Sequence, residues 1–230
     1  MFFDGRFNDL CGAQSEMSRY NQRMSKLKGR RKELGVAQPQ ATHASGATYQ
    51  TYKETQRLVI RPWDDYDAEE LFELAKEPEI GFWCGWEPHK HIEDTLFVLH
   101  NFLEVSETYA ICLKDSGKVI GSIGLHFKGN TDLTDKDDEC ELGYWVGKAY
   151  WNNGYVTEAA NEMIRHAFMD LDVSTIWCGY YDGNDRSKRV QEKLGFIYHH
   201  TSYNVEVRQL NTTRTGHVNY LTKEKWCKKA

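Results

Sequence analysis

Apolar residues along this chain recur at two spacings, and the switches between them mark the elements. RLVIR, Arg57 to Arg61, alternates like a strand and is ended by Pro62. Asp64 and Asp65 then offer helix caps before AEELFELAKEP, whose Leu71, Phe72 and Ala75 share one face, and Pro78 follows the end of that helix. An aromatic connecting segment, GFWCGWEPHKH, leads to IEDTLFVLHNFLEV, predicted as a second helix with Leu96, Phe97, Leu99, His100 and Leu103 near its buried side. TYAICLK and KVIGSIGLHF form a hairpin turned at Asp115, Ser116 and Gly117. A polar, mobile loop, GNTDLTDKDDE, precedes a strand over Glu139 to Val146. A helix beginning near Gly154 buries Ala160, Met163, Ile164, Ala167, Phe168 and Leu171, and Thr175 to Tyr181 is the next strand. Ser187 to Leu194 is a short helix, and Phe196 to Val207 and Gly216 to Thr222 are the last strands. The predicted order is β, α, α, β, β, β, α, β, α, β, β, a mixed α/β sheet packed with helices.

The first fifty residues break this pattern. They hold a basic cluster, KLKGRRKE, and then a small, polar stretch with almost no large apolar groups. Such a stretch buries too little surface to offset its ordering entropy. Residues 1–53 are therefore expected to be a flexible basic extension, and residues 54–230 a single domain, as a chain of 230 residues allows.

Charge sharpens that division. Residues 1–53 carry 9 basic against 4 acidic side chains, leaving 20 against 30 in the remainder. An acidic body argues against nucleic acid as the main partner and suits a cationic or amine-bearing one. No apolar run reaches the roughly 20 residues that cross a bilayer, and the N-terminus lacks the form of a secretory signal, so no membrane partner and a cytoplasmic location are expected. Six scattered cysteines show no metal-ligand spacing; they are expected to be reduced thiols, several in the core, with no bound metal.

The turn between the strand at Glu139–Val146 and the following helix carries the chemistry. The first amides of a helix have no intrahelical acceptor and, with the macrodipole, attract an anion. Gly154 lets a ligand approach the main chain, and Asn152 and Asn153 tolerate left-handed backbone, so a phosphate or pyrophosphate is implied. No GK[ST] follows and only one glycine is present, which separates this turn from the common nucleotide loops. Alone, it also has the form of an ordinary strand-to-helix turn.

A second segment, NDRSKRVQEKLGF, places Asn184 and Ser187 between a strand and a short helix. ELGYWVGKAYWNNGYVTEA followed by this segment resembles the two core motifs of the GNAT superfamily of N-acetyltransferases, in particular its RimJ/RimL-type branch, which includes ribosomal-protein N-terminal acetyltransferases. The likeness extends from RLVIRPW at Arg57 to LTKEKW near the C-terminus. It implies an α+β fold with a mixed, mostly antiparallel central sheet flanked by helices, in which the strands ending near Val146 and Tyr181 splay apart. It further implies acetyl-coenzyme A as co-substrate, with the pyrophosphate on the amides of Asn152, Asn153, Gly154, Tyr155 and Val156, and Thr157 in the same first turn. Asn184 would then bond the pantetheine arm and Ser187 would sit near the sulfur. Many members carry a tyrosine seven positions after that asparagine; here it is Gln191, which leaves Ser187 as the acid for the departing thiolate.

Acyl transfer also needs a neutral amine and an oxyanion site. The resemblance suggests backbone amides near Trp145 or Val146 for the oxyanion. Glu141, with Glu139 next, is the favoured base; a sheet-surface carboxylate paired with Lys or Arg is the other reading. Phe82, Trp83, Trp86 and Tyr144 are expected on the acceptor side, as an aromatic wall for a cationic amine or as core packing. His89 and His91 are expected at the surface. The function implied is direct acetyl transfer to a primary amine, on a protein N-terminus or a small molecule, by a monomer or homodimer; the alternative is a non-catalytic acyl-CoA-binding or interaction module of the same fold.

Overall fold

In the computed structural model, which describes residues 52–229, one sheet carries eight strands in the order β1-β2-β3-β4-β5-β6-β8-β7. They are β1 (Lys53–Glu54), β2 (Leu58–Pro62), β3 (Thr108–Leu113), β4 (Val119–Phe127), β5 (Glu139–Val146), β6 (Thr175–Tyr181), β7 (Ile197–Val207) and β8 (Thr212–Thr222). All neighbours pair antiparallel except β5 and β6, as the mostly antiparallel sheet of the sequence reading requires. The extension expected over residues 1–53 lies, up to residue 51, outside the described residues, as does Cys11.

Among the described residues six α-helices cover the two faces: α1 (Ala68–Ala75), α2 (Pro78–Cys84), α3 (Ile92–Val98), α4 (Tyr155–Met169), α5 (Asp185–Leu194) and α6 (Lys223–Lys229). Strand parity decides which side chains meet which helix. Cys140, Leu142 and Val146 of β5 pack with Ala159, Ala160, Met163, Ile164, Ala167 and Phe168 of α4. Trp145, one position out of phase, joins the opposite cluster with Leu71, Ile80, Trp86, Leu96 and Leu99 from the α1–α3 side.

Several local expectations change. Pro78 follows the end of α1, as expected, and also opens α2: proline suits the first helical turn, where its missing N–H is not needed, and left-handed Gly85 (φ 84°) ends the helix. The aromatic run therefore contains a helix, which its lack of an apolar stripe concealed. His89 is buried, its ring edge-on to Trp86 and its Nδ1 2.8 Å from the Thr95 hydroxyl; burial brings its pKa down to about 4. The loop between β4 and β5 folds over its own strand: Thr131 donates to Glu141 Oε2 (2.6 Å) and Thr134 to Glu139 Oε2 (2.7 Å). Cys84, Cys112, Cys140 and Cys178 are buried free thiols, and Cys227 is an exposed one. No helix among the described residues is long and apolar enough to cross a membrane.

Candidate active site

β5 and β6 share only three rungs, Glu139–Thr175, Cys140–Ile176 and Glu141–Trp177. Beyond the third, residues 142–146 and 178–181 diverge, each still held on its far side, by β4 and β8 respectively. A cleft of about 360 Å³ occupies the divergence. Its wall includes Trp145, Val146, Asn152, Gly154, Tyr155, Val156 and Thr157 from β5, the turn and α4, and Asn184 and Ser187 from the opposite side.

The turn has the backbone an anion cradle needs. Asn152 (φ 62°) and Gly154 (φ 78°) are left-handed, and Gly154 caps α4 without a side chain, so the first amides of the helix are not covered by a capping group. A Cβ built on Gly154 would meet only Arg57 Nη2, at 3.6 Å, so the space before the helix is open. Asn153 is not part of the cleft wall: its side-chain amide donates to Trp151 O (3.0 Å) and its carbonyl accepts from Arg57 Nη1 (3.0 Å).

Arg57, which the sequence reading did not single out, ties this turn to β2. Its backbone N–H and Nε each donate to the Glu158 carboxylate at 2.7 Å, the Thr55 hydroxyl adds a third bond at 2.6 Å, and its guanidinium lies 4.5 Å from the Tyr155 ring centroid. Burial raises the Glu158 carboxyl, but the bonds from Thr55 and Arg57 outweigh it and hold the group below its ordinary range. On the other wall Arg186, Arg189 and Lys193 line the cleft from one face of α5. The acidic body thus presents cations where an anion would lie.

Gly147 N–H donates to Ile120 O (2.8 Å), which fixes the parity of the end of β5. By the two-residue alternation of a strand, Trp145 turns its backbone toward β4, while Tyr144 and Val146 turn theirs toward the divergence. Of the two positions expected to hold an oxyanion, Val146 has the favourable orientation. Its carbonyl is occupied by Trp151 Nε1 (2.9 Å).

Asn184 caps α5, its Oδ1 accepting from Ser187 N (3.3 Å), and it lines the cleft. Ser187 Oγ is 3.0 Å from the Tyr144 phenol and accepts from Gln191 Nε2 (3.2 Å). Burial pushes the Tyr144 phenol well above its ordinary value.

The acceptor-side residues separate. Trp83 and Tyr144 line the cleft, and Arg186 lies 3.7 Å over the Trp151 ring and 5.6 Å from Trp83, spanning the mouth. Phe82 is half exposed, under Arg214. Trp86 is buried against Trp145 (centroids 5.4 Å apart), and Glu141 is 2% exposed and absent from the cleft wall. Asp65, His100 and Glu104 bring ligand-type atoms within 4.8 Å of one another; His100 Nε2 already meets Asp65 Oδ1 at 2.6 Å, and none of the three lines the cleft.

Comparison with known proteins agrees with this architecture. Residues 57–197 match the family model described as the acetyltransferase (GNAT) domain. The chain is 28% identical over 148 residues to the uncharacterized N-acetyltransferase YoaA of Bacillus subtilis (strain 168), covering 62% of this chain and 81% of the relative. It is 28% identical over 155 residues to YdaF of the same organism, named as a candidate ribosomal N-acetyltransferase, with 64% and 81% covered. Among solved structures, a GNAT-family acetyltransferase from Bacillus anthracis superposes with a TM-score of 0.66 at 20% identity, covering 76% of this chain and 99% of that one, a likeness of fold.

Proposed function

This chain belongs to the acetyltransferase (GNAT) domain family, and from that premise we propose that it moves an acetyl group from acetyl-coenzyme A directly to an amine of α-amino basicity, such as a protein N-terminus. The observation that carries the reading is the end of β5–β6 pairing at Glu141–Trp177, which opens a cleft between the uncapped start of α4 and Ser187.

The residues present fit the coenzyme. An open, left-handed Gly154 with uncapped amides suits a pyrophosphate, and the two diverging strands leave edge groups for an amide-rich arm. When bound, acetyl-coenzyme A supplies an activated thioester. The amides of residues 154–157, steadied by Arg57 through Asn153 and Glu158, would hold its diphosphate. Val146 N–H would stabilise negative charge developing on the carbonyl oxygen. As the C–N bond forms and the C–S bond breaks, Ser187 would donate to the leaving thiolate, whose conjugate acid resembles a cysteine thiol of pKa about 8.5 and needs only modest assistance.

Glu141 bears on the acceptor. Its carboxylate is covered and bonded by Thr131, so any help it gives in deprotonation passes through water. An α-amino group, pKa about 8, is on the order of a tenth neutral at pH 7; a lysine amine, pKa about 10.4, is neutral only a few parts in ten thousand. The covered carboxylate supports reading the acceptor as the amine that needs less help. The test is thiol release from acetyl-coenzyme A with a panel of N-terminal peptides, their N-blocked lysine counterparts and small amines. The reading expects turnover with α-amines to exceed that with lysine amines by roughly 200- to 300-fold, following the neutral fractions. Tight binding with no turnover on any amine would favour a binding module; lysine amines reacting as fast would overturn the acceptor assignment.

A further inference from the structure

Gln191 stands on α5 where the resemblance leads one to expect a tyrosine acid, and it is fully buried, four residues after Ser187. Its hydrogen bonds determine its orientation. Nε2 donates to Gly179 O (3.2 Å), a carbonyl that only a donor can face, and to Ser187 Oγ (3.2 Å). Oε1 is then turned to Asn219 Nδ2, which donates to it at 2.7 Å. The amide is locked from three sides, and one of its protons is committed to the serine.

A hydroxyl has two acceptor lone pairs and one proton. Gln191 fills one lone pair of Ser187 Oγ. The Tyr144 phenol lies 3.0 Å from the same oxygen, in a contact where either hydroxyl can donate, and Ser187 O at 3.4 Å and the Cys178 thiol also meet the phenol. Tyr144 is kept protonated by burial, which pushes its phenol well above its ordinary value, so it stays able to donate. When the phenol donates, both lone pairs are filled and the serine has only its proton left to offer.

We infer that Gln191 and Tyr144, with Asn219 locking the amide, act as positioning residues that make Ser187 a donor aimed into the cleft at the coenzyme's sulfur. The inference rests on the proposed function above and deepens it. In the forward reaction the C–S bond breaks, the sulfur takes the electron pair, and the Ser187 O–H hydrogen-bonds it; no net proton leaves Tyr144 or Gln191, whose hydrogens stay on their own atoms. The thiolate ends as a thiol by taking the proton that the nitrogen, cationic once the neutral amine has added to the carbonyl carbon, sheds as it becomes an amide, through solvent or through Ser187.

The test reads the thiol of bound coenzyme A directly, by thiolate absorbance against pH, alongside turnover. A donor aimed at sulfur stabilises the thiolate, so in the wild type the bound thiol should titrate near pH 7.5, about one unit below the free value of roughly 8.5. Ser187→Ala, Tyr144→Phe and Gln191→Glu should each return it toward 8.5. Each should lower kcat by about tenfold with KM for acetyl-coenzyme A within about twofold. Adding Ser187→Ala to Tyr144→Phe should cost nothing further, since both act through one hydroxyl. If Gln191→Glu fails to fold, Tyr144→Phe, which deletes a single oxygen, decides the matter. An altered titration in Ser187→Ala but a wild-type one in Tyr144→Phe and Gln191→Glu would overturn this inference and leave the proposed function standing. A Ser187→Ala enzyme unchanged in both measurements would overturn the inference together with the acid assignment.

Discussion

Glu141 and Trp177 form the last rung that β5 and β6 share, and the cleft begins where their pairing stops. The divergence is held open from both sides. β4 keeps pairing with β5 as far as Val146, and β8 keeps pairing with β6 as far as Tyr181, so neither free stretch lacks a partner on its outer edge. The gap is thus made by topology.

Gly154→Val should weaken coenzyme A binding at least tenfold. Space is not the obstacle, since a Cβ meets only the end of Arg57; the obstacle is a φ of 78°, which a β-branched residue adopts at a cost of about 1–3 kcal/mol, and a side chain standing before the uncapped amides. Calorimetric titration with coenzyme A checks the affinity, and a thermal melt confirms that the variant is folded.

Arg57→Met should separate binding from stability. The Arg57 side chain is 44% exposed, and an ion pair of that kind contributes about 0–1 kcal/mol to folding, so Tm should move by only a few degrees. The turn, however, loses its tie to β2 and a nearby positive charge. Coenzyme A affinity should fall several-fold, with a shallower salt dependence, in titrations at low and high ionic strength.

Glu141→Gln should lower turnover on an α-amine by less than about tenfold, because a direct general base contributes roughly 100-fold or more and this carboxylate is covered. Steady-state kinetics at pH 7 and 8 measure it. A loss of 100-fold or more would place Glu141 at the reacting amine.

Acid should destabilise the fold below pH 4.5. Glu158 and Glu139 are raised by burial but lowered further by their hydrogen bonds, from Thr55 and Arg57 and from Lys136, Thr134 and Trp177; bonds from Arg165 and His166 hold Asp170 at about 2. A carboxyl with a depressed folded pKa contributes stability that is present above its unfolded pKa and lost as pH falls through the folded one. Tm should therefore be insensitive to these groups above about pH 5 and decline from about pH 4 toward 2. Melts of wild type and Glu158→Gln over that range test it, the variant showing a shallower decline.

What the sequence reveals follows the range of the interactions. β5, the turn and α4 are legible because their signals are local: alternation, an Asn-Asn-Gly turn, then a helical stripe. Strand parity even places Glu141 on the Trp145 face. That Thr131 would cover it is not legible, because the polar loop carries no periodicity to show how it folds back. Arg57 and Glu158 are 101 positions apart, and Gln191 meets Asn219 across 28, so no window of sequence contains either pair. α2 escapes notice for a different reason: four of its seven residues are Ile, Phe, Trp and Cys, and Glu79 is its one polar side chain, too little to give a stripe its contrast.

The most direct measurement is a crystal structure of the protein with coenzyme A. The account predicts the diphosphate on the amides of residues 154–157, the pantetheine arm between residues 142–146 and 178–181, and the sulfur within hydrogen-bonding reach of Ser187 Oγ. A coenzyme bound elsewhere, with the divergence between β5 and β6 empty, would contradict it.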